Sequence, residues 1–185
     1  MPKIDRMVVI MVRTKRLVFL SLLVGIALII YIIEGQIPVL FPGVKLGLAN
    51  IISLFALLFL GWKEALIIVI LRTVMGSIFG GSVSAFFFSI VGGMLSNIVM
   101  ILLYKYFNNY LGLGSISICG AIFHNAGQLL VAAFVIQDLR IYFYLPILLI
   151  SGVITGYFVG ISTNFLYQHF EKAEWAKQLR REEIR

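Results

Sequence analysis

Charge is scarce in this chain. Of its 185 residues, 12% are Asp, Glu, Lys or Arg, about half the fraction usual in a soluble domain. Acid is the scarcer sign, with 8 carboxylates against 15 basic side chains. None of the carboxylates falls well inside an apolar run, which argues against a proton relay through the protein. The single cysteine, Cys119, excludes an internal disulfide and a cysteine-held metal cluster. His124 has no acidic or cysteine neighbours in sequence, so the metal signal is weak. No glycine-rich loop ends in lysine, so the chain carries no evident ATPase site. It also lacks a nucleophile elbow and a pair of aspartates. These absences point away from an enzyme and leave neither a cofactor nor a metal to expect.

What is present is apolar. Hydrophobic residues make up 61% of the chain, in runs of membrane-spanning length that do not alternate with period two. Lipid offers the backbone no hydrogen-bond partner, so such runs are read as helices. The expected fold is an all-α integral membrane protein with six transmembrane helices over about 17–33, 46–60, 65–79, 83–104, 115–136 and 141–167. Residues 1–16 form a basic segment, 17–167 the transmembrane domain, and 168–185 a charged helix whose Phe170, Trp175 and Leu179 can meet the membrane surface. The first run lacks a small-residue cleavage site and is expected to be retained. The net charge of +7 sits largely in the two tails. With Lys63 and Lys105 it places the N- and C-termini in the cytoplasm by the positive-inside rule, and it argues for a membrane rather than a nucleic acid as partner.

The least ordinary stretch is Phe41-Pro-Gly-Val-Lys-Leu-Gly-Leu-Ala-Asn50. Pro42 and Gly43 interrupt any helix. Lys45 and Asn50 then bring a cation and an amide to the start of the second run, as at the rim of a small-molecule site; the plainer alternative is a turn with a snorkelling lysine. Arg72 lies eight residues past Glu64, about 12 Å along a helix. A mid-membrane arginine faces the bundle interior or a wet cavity, where it can pair with a carboxylate or phosphate or bond to helix-end carbonyls. His124 and Gln128 share a helix face and Asn125 lies one step round, set either to touch a ligand or to join helices by hydrogen bonds. Asn97 and Asn164 fit that joining role. Small residues recur every four positions at Gly152, Gly156 and Gly160, at Gly76 and Gly80, and at Ser21 and Gly25, a spacing that lets helices approach closely.

Three of these segments, Pro42–Asn50, Leu71-Arg-Thr-Val-Met-Gly-Ser77 and His124-Asn-Ala-Gly-Gln128, together resemble the bacterial Gx transporter family, also called heptaprenyl diphosphate synthase component I. The resemblance covers roughly residues 14–168. That family is similar to the substrate-binding S components of energy-coupling-factor (ECF) transporters, six-helix proteins of the bacterial plasma membrane. The resemblance implies a vitamin or cofactor precursor bound near the outer face, a transmembrane coupling subunit and two cytoplasmic ATPases. It implies that Lys45 and Asn50 line the mouth, that Arg72 pairs with the anionic group, and that His124, Asn125 and Gln128 hydrogen-bond the polar part. Ser21 and Gly25 stand where S components carry alanines that meet the coupling subunit. The family name implies a second role, as a membrane subunit in heptaprenyl diphosphate or menaquinone metabolism, and the family's resemblance to membrane proteins encoded near flavin-based electron-transfer systems implies a flavin- or quinone-linked partner role. Prenyl synthases hold magnesium on Asp-rich motifs, and this chain has none. A third reading is an interaction protein without a ligand.

Overall fold

Long apolar runs with no lipid-facing hydrogen-bond partner must satisfy their backbone within the segment, and helices do so. In the computed structural model, which describes residues 3–37, 46–80 and 83–173, they form six α-helices. These are α1 (Lys3–Glu34), α2 (Asn50–Phe59), α3 (Trp62–Gly80), α4 (Val83–Phe107), α5 (Leu113–Ile136) and α6 (Leu145–Glu171), the last entered through a 3-10 turn at Leu139–Tyr144. No strand occurs among the described residues.

Four stretches are long and apolar enough to cross a membrane: Thr14–Glu34, Val83–Phe107, Leu113–Ile136 and Leu139–Glu171. The expectation of six spans is thus met at four. The second run yields a helix of 10 residues, about 15 Å against a hydrocarbon core of about 30 Å. The third is 19 residues long but carries Lys63, Glu64 and Arg72. The basic N-terminal segment is continuous with the first apolar run, because α1 begins at Lys3. Trp175 and Leu179 lie outside the described residues.

The short α2 is the centre of the bundle. Nine of its ten residues are buried, and it touches α1, α3, α4 and α6. At its C-terminal end Phe55 and Phe59 stack, with centroids 5.5 Å apart, and Phe19 of α1 and Phe170 of α6 close around them. Gly61, at φ +110°, turns the chain from α2 into α3. Arg16 of α1 pins that turn by donating to the Leu60 carbonyl at 2.7 Å and pairing with Glu64 at 2.6 Å.

On the other side α4, α5 and α6 pack backbone to backbone. A Cβ at Gly127 would lie 2.9 Å from Gly92 Cα, one at Gly156 2.6 Å from Ile118 Cα, and one at Gly160 2.7 Å from Gly114 Cα. The glycine ridge of α6 is therefore an internal seam against α5. Gly76 of α3 makes room for the ring of Tyr31. The Ser21–Gly25 ridge is different. Among the described residues, Ser21 is exposed and bonds only back to its own helix, at Leu17 O, and a Cβ at Gly25 would meet nothing within 4 Å.

Candidate functional site: two buried charges at the head of the short helix

α1 ends on Glu34, a carboxylate at the negative end of a helix dipole, where it is disfavoured. It is nonetheless buried, at 3% exposure, so it needs strong donors. They come from the segment leading into α2. Glu34 Oε1 accepts from the N–H groups of Gly47 and Leu48, the latter at 3.2 Å, and Oε2 accepts from Ala49 N–H at 3.5 Å. Ala49 precedes α2 and has no side-chain oxygen with which to cap it. Glu34 therefore caps α2 from another helix, with its negative charge at the positive end of the α2 dipole. Gly47 permits this geometry. Its φ is +84°, and a Cβ there would lie 3.1 Å from Asn50 Nδ2 and 3.2 Å from His124 Cδ2.

The first residue of α2 then receives Arg72. Arg72 Nη2 donates to Asn50 Oδ1 at 2.8 Å, and Asn50 Nδ2 donates to Ser96 Oγ of α4 at 3.3 Å. Arg72 is 3% exposed, and its Nε is buried without a hydrogen-bond partner among the described residues. Glu34 and Tyr31 are its electrostatic neighbours, yet no ion pair joins Arg72 to a carboxylate among the described residues. Arg72 thus keeps donor capacity on a guanidinium that carries five N–H groups.

Small residues on α4 create the space. Gly93 adjoins the guanidinium, where a Cβ would lie 3.5 Å from Arg72 Nη2. Gly92 faces α5, where a Cβ would lie 3.2 Å from His124 Nδ1 and 2.9 Å from Gln128 Cγ. Ser89, on the same face, accepts from Tyr31 Oη–H at 3.0 Å. His124 and Gln128 are buried; Gly47 sets His124 beside Asn50, and Gly92 lies against both His124 and Gln128. The structure therefore gathers Asn50, Arg72 and His124 around the N-terminus of α2, halfway along α3 and α5, with Gln128 one turn further along α5 against Gly92 of α4.

The other expected residues fall elsewhere. Asn125 turns toward α6, where its Nδ2 donates to Leu148 O at 2.7 Å and packs against Gly152, so it joins two helices. Asn97 bonds within α4, to Gly93 O at 3.1 Å. Asn164 is exposed and accepts from Gln168 of its own helix at 3.5 Å, so it does not join helices. Lys45 lies outside the described residues.

Glu34, Tyr31, Gly47, Ser89 and Ser96 belong to the cluster and were not expected there from sequence. One signal was available. An acid closing an apolar helix opposes the helix dipole and needs a donor, and the nearest N–H-rich turn is the one before Asn50. No three His, Cys, Asp or Glu side chains come together among the described residues. A guanidinium, helix-end amides and side-chain amides are donors suited to an anion.

A second feature lies on the opposite side of α2. A cavity of about 550 Å³ opens between α1, α2 and α6, lined by Leu23, Ile30, Phe55, Phe165 and other apolar side chains, with Ser162 as its hydroxyl. It offers volume without polar recognition, whereas the Arg72 cluster offers polar recognition. For a charged metabolite the cluster is the relevant site, because only it can replace the hydration of an ion.

The family model for heptaprenyl diphosphate synthase component I matches residues 23–166, which takes in α2 to α5, most of α6 and every residue of the cluster. No curated protein and no solved structure matches the chain.

Proposed function

We propose a transport role for this chain, which belongs to the heptaprenyl diphosphate synthase component I family: it is the membrane-embedded substrate-binding subunit of a transporter for a small anionic metabolite, such as a vitamin or cofactor precursor. The observation that carries this reading is the buried guanidinium of Arg72. It is held at the head of α2 by Asn50, its Nε has no partner among the described residues, and His124 packs beside Asn50 at Gly47. A buried arginine is costly in a membrane unless it serves a ligand or a partner charge. The chain supplies no ATP-binding loop, so the work of release falls to partner ATPases through a coupling subunit. The outward Ser21–Gly25 face of α1 is the surface offered to that subunit. Affinity purification of the tagged chain in mild detergent, with mass spectrometry of the co-purifying proteins and metabolites, tests this. Coupling-factor ATPases together with a bound anion are expected. A soluble prenyl or quinone enzyme in their place would contradict it.

The apolar cavity favours a second reading, a membrane subunit that serves isoprenoid or quinone metabolism. Its aliphatic and aromatic walls, with Ser162 the one hydroxyl among the described lining residues, suit one apolar chain. That reading requires a soluble synthase or reductase whose activity depends on this chain. If no such enzyme co-purifies, or its activity is the same without the chain, the second reading fails.

A further inference from the structure

The amides an anion would use at the head of α2, where Arg72 is bonded to Asn50, are already held by a carboxylate of the chain itself. Glu34 accepts from three consecutive amides, and those amides lead into a helix of 10 residues whose dipole adds to them. Three such N–H groups and a helix N-terminus make an anion-binding nest. Arg72 supplies the independent second half. Its 3%-exposed guanidinium is bonded to the first residue of that helix, and its Nε has no partner among the described residues.

We infer that Glu34 is a tethered anion that keeps the site closed, and that the substrate's carboxylate or phosphate displaces it from the Gly47–Ala49 amides to bind between them and Arg72. The inference rests on the anion-binding reading above and adds the competitor to it. Two negative groups cannot share one nest beside one guanidinium without strong repulsion, so binding and release of Glu34 are a single exchange. The tether is suited to the exchange. Glu34 is the last residue of α1, followed by the exposed Gly35 and Gln36, and its hold on Ala49 is at the long limit of 3.5 Å. The side chain can therefore swing out without unwinding the helix. Its departure leaves three amides for the incoming oxygens, so the head of α2 stays capped.

The test is equilibrium binding of inorganic phosphate and of acetate, as minimal anions, to the purified full chain in lipid nanodiscs. Glu34→Gln keeps an oxygen for the amides and removes the competing charge. It is expected to bind these anions at least tenfold more tightly than the wild type, and the double variant Glu34→Gln/Arg72→Gln is expected to lose the gain. Glu34→Asp retains the charge on a tether one methylene shorter and is the second variant should Glu34→Gln fold poorly; it is expected to show a smaller gain. Arg72-dependent binding that is equal or weaker in the Glu34 variants would overturn the displacement while leaving the anion-binding reading intact. Absence of Arg72-dependent binding in every variant would overturn both.

Discussion

At the scale of the residue, the site depends on donors and acceptors that have few substitutes. Asn50 accepts from Arg72 and donates to Ser96, so Asn50→Ala removes the acceptor of a buried charged N–H. Such a bond contributes about 1.5–3 kcal/mol, and the variant is expected to melt several degrees below the wild type in detergent. Gly47 adopts φ +84° with a neighbour on each side. Gly47→Ala is expected to cost about 1–2 kcal/mol from its left-handed backbone alone and to push His124 and Asn50 apart. Thermal unfolding followed by circular dichroism checks both. Arg72, His124 and Gln128 were legible in the sequence, because polar side chains deep in apolar runs have little choice but the interior. Asn125 was not separable from them. One residue is a rotation of about 100° on a helix, and that rotation carries it to Leu148 O. Glu34 was hidden because its place at the end of a span reads as an interfacial charge. Only its pairing with an N–H turn 13 residues later buries it.

At the scale of the element, the short α2 decides the architecture. Its apolar composition is that of a membrane span, yet nine of its 10 residues are buried. Hydropathy cannot separate a short core helix from a truncated span, which is why α2 counted as one of six from sequence and fails the length for crossing in the structure. The glycine ridges were legible as a pattern, though not by role, since spacing does not reveal what lies opposite. Two substitutions separate those roles. Gly156→Leu drives a side chain into the α5 backbone, where even a Cβ would lie 2.6 Å from Ile118 Cα, and is expected to cost about 3 kcal/mol or more. Gly25→Leu, facing open space, is expected to change stability by no more than about 0.5 kcal/mol. Comparative melting of the two purified variants checks this. If Gly25 belongs to a docking face, its leucine variant folds normally and loses the coupling subunit on purification.

At the scale of the whole molecule, the chain is a set of apolar helices around one small polar centre. The buried formal charges among the described residues, Glu34 and Arg72, come from the end of α1 and the middle of α3, and both act on the head of α2. A change at that centre is therefore felt by α1 through Glu34, by α3 through Arg72 and by α4 through Ser96. Ligand binding there is expected to stabilise the whole bundle, by about 2.7 kcal/mol at a hundredfold excess over Kd. The most direct measurement is the thermal stability of the full chain in lipid nanodiscs against a panel of small carboxylated and phosphorylated metabolites, run in parallel on Arg72→Gln. That variant keeps an N–H for Asn50 Oδ1 and removes the charge. At least one anion is expected to raise the melting temperature of the wild type by several degrees and to leave Arg72→Gln unmoved. A panel that stabilises neither protein, or both equally, would contradict it.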